Sequence, residues 1–153
     1  MRFFNEILNN KIFFIVLSAW LFSCVLKGFI EMFRNRKIDW TRFFGAGGMP
    51  SSHSTIVTSL ATCVGLYEGF DSALFVMCCS IALIVMYDAA GVRRAAGNHA
   101  KILNMIVEAW EEKDPVQNAE KLKEILGHTP LQVAAGAFLG IIYSVIVAAI
   151  IGF

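Results

Sequence analysis

The stretch STIVTSLATCVGL (residues 54–66), YEGFD (67–71), SALFVMCCSIALIVMY (72–87) decides the fold. Two apolar runs flank a connection so short that the second must fold back on the first as a helical hairpin. The connection carries Glu68 and Asp71 but no Lys or Arg, which marks it as the non-cytoplasmic side of a membrane. A hydrocarbon core of roughly 30 Å asks for about twenty apolar residues per helix, and fewer where a helix end is sheltered by protein. The run at 54–66 is the weaker and more polar of the two. Working outward, residues 12–33 and 131–151 supply two further apolar runs. The sequence therefore predicts an all-α, polytopic membrane bundle of about four transmembrane helices, at 12–33, 54–66, 72–87 and 131–151.

Composition agrees. With 153 residues, 57% hydrophobic and 16% charged, the chain reads as one membrane domain over residues 1–153 and not as an ordinary soluble one. The formal charge of +1 gives no nucleic-acid surface. Cys24, Cys63, Cys78 and Cys79 all lie in apolar runs without ligand spacing, as packed small hydrophobes do. Trp20, Lys27 and the lack of a small-residue cleavage site argue that the first helix is retained, not removed as a signal peptide.

Charge is unevenly placed. Residues 34–52 hold Arg34, Arg36, Lys37 and Arg42 against Asp39, and residues 89–130 add Arg93, Arg94, Lys101, Lys113, Lys121 and Lys123. The opposite face has Arg2 and Lys11. The positive-inside rule makes the two basic loops cytoplasmic and leaves both termini outside, in a bacterial-type cell membrane. Within the longer loop, Ile102, Leu103, Ile106 and Val107 recur at helical spacing ahead of Trp110, which predicts an amphipathic surface helix in an insertion at about 95–126. Pro115 ends that helix, and a second short one over 116–126 stops at Gly127.

Four polar clusters fall at helix ends that this topology brings to one membrane face. Lys27 and Arg34, seven residues apart, project from one side of a helix, although a lone Lys there also snorkels and pairs with Glu31. Gly45, Gly47, Gly48, Met49, Pro50, Ser51, Ser52 and His53 open a helix with glycines, hydroxyls and free amides that suit an anion, or serve simply as an N-cap. Asp88, Arg93 and Arg94 lie just past the third apolar run, where guanidinium groups match a phosphate or only signal topology. Gly127, His128 and Thr129 open the last helix, and Gln132, one turn on, is placed to accept a hydrogen bond from the imidazole.

At these residues the chain resembles a divergent branch of the type 2 phosphatidic acid phosphatase superfamily, related to acid phosphatases and vanadium-dependent haloperoxidases. That superfamily's first signature, a Lys and an Arg separated by six residues, is matched by Lys27 and Arg34, with Asn35 at the place usually taken by proline. Its Pro-Ser-Gly-His signature is matched by Pro50, Ser51 and His53, with Ser52 in place of glycine. The third signature, Arg, His and Asp, is split here: Arg93 supplies the arginine, and residues 127–136 resemble the rest of the signature, with His128 at the histidine and Gln132 at the aspartate. A rival alignment takes His99, six residues after Arg93, but puts Leu103 at the aspartate.

The resemblance implies that His128 attacks phosphorus to form a phosphohistidine while His53 protonates the leaving oxygen and later activates water. Lys27, Arg34, Ser51, Ser52, Arg93 and Arg94 would hold the phosphoryl oxygens. Asp88 could supply the negative charge that Gln132 lacks. No cofactor and no metal are implied. The expected partners are an amphiphilic lipid phosphate and the bilayer itself, with a homo-oligomer left open. Two other readings stand beside phosphatase activity: a protein that binds or moves phosphorylated lipids without hydrolysis, and a structural assembly protein.

Overall fold

The computed structural model describes residues 2–36, 47–111, 121, 122, 124 and 127–153, with the side chains of residues 34, 35 and 111 left aside. The expected short helix over 116–126 falls mostly outside these residues, as do Lys37, Asp39, Arg42, Lys113 and Lys123. The described chain is all-helical: α1 (Arg2–Leu8), α2 (Lys11–Asn35), α3 (Ser52–Glu68), α4 (Ala73–Ala90), α5 (Val92–Glu111) and α6 (Pro130–Ile151).

Side-chain caps set the helix starts. Asn10 accepts from the Phe13 N–H at 3.0 Å to begin α2, and Ser72 accepts from the Phe75 N–H at 3.2 Å to begin α4. Thr129 and Gln132 cap α6 reciprocally, as a Thr-x-x-Gln box with Pro130 in its first turn. At the far end of the bundle, Lys11 Nζ donates to the Gly152 carbonyl at 2.9 Å, tying the start of α2 to the end of α6.

Three stretches are long and apolar enough to cross a membrane: Lys11–Phe33, Ala73–Trp110 and Pro130–Ile151. The fourth expected helix exists as α3, but its 17 residues are shorter and more polar. The reason is its place. α3 packs against α2, α4 and α6 and buries Ser52, Ser54, Thr55, Thr58, Ser59 and Thr62. Hydroxyls are tolerable there because they bond back along the helix: Thr55 to the Ser51 carbonyl, Thr58 to Ser54 and Thr62 to Thr58, at 2.8–3.0 Å.

The core is built on four-residue rows in which small side chains predominate. Ile15, Ala19, Ser23 and Lys27 line up on α2, Thr55, Ser59 and Cys63 on α3, and Gly136, Gly140, Ser144 and Ala148 on α6; all are buried. Residues four apart stack along one helix face, so small ones let two backbones approach closely. A Cβ on Gly140 would collide with Thr58 Oγ1 and the Thr55 carbonyl. Across this seam Thr55 donates to the Gly136 carbonyl (3.0 Å), Thr58 to the Ala137 carbonyl (3.2 Å), and Ser59 and Ser144 share a 2.7 Å bond.

Candidate functional site

The α3–α6 seam ends at the polar end of the bundle. Ser51 N–H donates to the Gln132 carbonyl at 3.0 Å, and a Cβ on Gly136 would strike the Ser51 backbone, so the turn before α3 is locked to the first turn of α6. That lock brings His53 and His128 together. Their rings meet edge to face with centroids 5.9 Å apart. His128 is buried and its backbone N–H donates to the Ala89 carbonyl at 3.0 Å, which pins the loop before α6 to the end of α4. Gly127 lies directly on the Arg93–Arg94 backbone, where a Cβ would not fit.

Lys27 reaches the same end from α2. It is 1% exposed, so it does not snorkel to the headgroups; its stem runs inward along Gly48, whose φ of +84° is the left-handed region that glycine favours. A Cβ on Gly48 would sit 3.0 Å from Lys27 Cδ. Asp88 accepts from Arg93 Nε at 2.6 Å, the half-exposed pair that joins α4 to α5. Lys27, Ser51, Ser52, His53, Asp88, Arg93, His128 and Gln132 thus gather at one end, from α2, α3, α4, α5 and α6.

Other expected residues stand differently. Ser51 is fully buried, and its hydroxyl accepts from the Ser54 N–H at 3.4 Å, so it caps α3. Arg94 and His99 are exposed on α5. The side chain of Arg34 lies outside the described residues. Gln132 Oε1 accepts from the Thr129 N–H at 3.0 Å in the capping box, and the same side chain also acts on the His128 ring. The Nδ1 atoms of His53 and His128 and the hydroxyl of Ser54 are buried without a hydrogen-bond partner among the described residues.

Both histidines precede the apolar spans of their helices, and both are held below the ordinary imidazole range. For His128 burial acts most, then the neighbouring His53; the Gln132 side chain and the Gly48 carbonyl partly oppose, and Lys27 lowers it again. For His53 burial leads, then Arg93 and Lys27, with Asp88 opposing. Burial thus disfavours the protonated form of both rings, with the Arg93 guanidinium beside His53 acting in the same direction. No group of three or more His, Cys, Asp or Glu residues suited to a metal ion occurs among the described residues.

One polar residue of this region carries no signal in the sequence. Asn104 is a buried α5 side chain that exchanges two 2.9 Å bonds with the Leu122 backbone and gives a third to Glu124. A lone Asn at mid-helix does not announce a distant backbone partner. Gly136 and Gly140 do carry a signal, their four-residue spacing with Ser144 and Ala148, which the motif-based reading passes over.

Comparison with known proteins supplies the family. The family described as "Divergent PAP2 family" matches residues 8–143. An uncharacterized membrane protein of Bacillus subtilis (strain 168), YuiD, is 42% identical over 153 residues, covering 94% of this chain and 97% of the relative. No solved structure matches. The match spans α2 through most of α6, including Lys27, His53, Arg93 and His128, and the chain belongs to the divergent PAP2 family of membrane proteins.

Proposed function

We propose that the chain is a membrane lipid phosphate phosphatase that works through a phosphohistidine. The observation that carries the reading is the 5.9 Å approach of half-buried His53 to buried His128, beside buried Lys27 and the Asp88–Arg93 pair. A ring nitrogen of neutral His128 attacks phosphorus as the ester P–O bond breaks, and protonated His53 gives its proton to the leaving oxygen. His53, now neutral, takes a proton from water as the water oxygen attacks phosphorus and the P–N bond breaks, releasing phosphate and free His128. Lys27 and Arg93 offset the charge on the phosphoryl oxygens throughout.

The substrate is an amphiphilic phosphomonoester or pyrophosphate, because the site opens where spanning helices end and headgroups lie. The bias of Lys and Arg toward the loops at this end supports a cytoplasmic position for it. Purified protein in detergent, offered a panel of lipid phosphates, should release phosphate; His128→Ala and His53→Ala should each abolish release, and vanadate should inhibit. Release that survives either substitution rejects the site. A second reading, binding or transport of a lipid phosphate without hydrolysis, draws on one observation: His128 Nδ1 has no partner among the described residues, and the side chain beside the ring is the uncharged Gln132. Vanadate binding without turnover would select it.

A further inference from the structure

α5 leaves the end of α4 after one residue, Gly91, and the apolar stretch Ala73–Trp110 would be about 57 Å long at 1.5 Å per residue, roughly twice the hydrocarbon core. α4 alone accounts for about 27 Å, a full crossing. α5 therefore begins at the membrane boundary. Its faces are sharply divided. Gly97, Ala100 and Asn104 are buried toward the protein. Val92, His99, Leu103, Ile106 and Trp110 fall within about 60° of helical arc, and all five are exposed, Trp110 by 66%. On the opposite side of the helix stand Arg94, Asn98 and Lys101, while Glu108 pairs with Lys121 at 2.6 Å.

We propose that this exposed apolar arc of α5 docks into the headgroup–acyl boundary of an anionic bilayer, making α5 an interfacial arm that holds one wall of the site. Two observations select lipid as the occupant. An open groove of about 490 Å³, lined by Leu83, Ile84, Tyr87, Asp88 and Val92, carries the exposed surface of spanning helix α4 without a break onto α5. Arg94 and Lys101 stand on the face roughly opposite the arc, so a helix lying in the interface keeps them toward headgroups and water, the arrangement of an interfacial helix with a cationic polar face. Seating α5 in lipid fixes Arg93 against Asp88 and supports Gly127, whose neighbour is His128.

The test is spin-label depth measurement on the full chain with Cys79 replaced by Ala, the other three cysteines being buried. Single labels at Leu103→Cys, Ile106→Cys, Asn98→Cys and Lys101→Cys are compared in nanodiscs of phosphatidylcholine with a minority of phosphatidylglycerol. The oxygen-to-nickel accessibility ratio should be severalfold higher at 103 and 106 than at 98 and 101, and the contrast should shrink in phosphatidylcholine alone. Equal ratios at all four positions overturn the proposal in favour of a water-exposed helix. Low accessibility to both reagents at 103 and 106 overturns it in favour of a covering protein, such as a second copy. A contrast unchanged without phosphatidylglycerol overturns the anionic preference.

Discussion

Gly140→Ala tests whether the small-residue seam between α3 and α6 holds the bundle together. The added Cβ would overlap Thr58 Oγ1 and the Thr55 carbonyl. A hydroxyl can rotate away, but a helical carbonyl cannot, so the helices must part. Parting weakens three bonds at once: Thr55 to Gly136, Thr58 to Ala137, and Ser59 with Ser144. Interhelical hydrogen bonds in membranes contribute about 0.6 kcal/mol each on average, so their loss costs about 2 kcal/mol. Overpacking adds about 1–3 kcal/mol, for a total of about 3–5 kcal/mol. The assay is reversible unfolding in mixed micelles, monitored by helicity. Phe138→Ala, on the exposed side of the same helix, serves as control and should stay within about 0.5 kcal/mol of the parent. A loss below about 1 kcal/mol for Gly140→Ala would refute close packing as the source of stability.

Gly48→Ala should cost about 1–2 kcal/mol, because a Cβ is disfavoured at φ +84°, and should weaken vanadate binding by displacing Lys27, as read by calorimetry. Asn104→Ala removes three bonds to the segment at 121–124; a local loss of about 1–3 kcal/mol should speed exchange of the Leu122 amide by about tenfold or more in hydrogen-exchange measurements. The pH profile is set by His53, which must be protonated to act as the acid. Its pKa is lowered, so kcat/KM should fall with rising pH along a limb on the acid side of the ordinary value of about 6.5. Asp88→Asn removes the opposing charge and should move that limb further toward acid.

Much of the architecture was legible because apolar runs report spanning helices directly, and because the connection at Glu68–Asp71 allows only a hairpin. The count of spans was less legible. Hydropathy measures contact with lipid, and α3 touches mostly protein, so its hydroxyl-rich face reads as a weak membrane helix when it is the central one. Lys27 shows the same limit from the other side. Alone in a sequence, a lysine near a helix end reads as a snorkelling cation; its burial against the left-handed turn at Gly48, brought across from another segment, has no signal there. The sequence puts Asp88 near Arg93, but their pairing depends on the break at Gly91 that begins α5. His99 keeps the spacing of a site residue, yet the same helix rotates it into the exposed arc.

Gln132 decides between hydrolysis and binding, and Gln132→Glu separates the two. Glutamate has the same length and is itself a capping-box residue, so the bond from the Thr129 N–H, 3.0 Å in the parent, is retained. The new charge lies in the first turn of α6, where the helix dipole favours a carboxylate by about 0.3–1 kcal/mol, so the fold is not at risk. The field at His128 does change. Gln132 already raises that imidazole's pKa against burial, and a carboxylate in its place strengthens the effect and stabilises positive charge as the ring nitrogen bonds to phosphorus. If the protein is a phosphatase, turnover of a lipid phosphate should rise, and phosphohistidine should accumulate faster in rapid-quench labelling. If it only binds, the added negative charge repels the phosphate, and vanadate affinity should fall with no turnover gained. A Gln132→Glu protein in which neither turnover nor vanadate affinity moves would remove Gln132 from the site altogether and leave it as a helix cap.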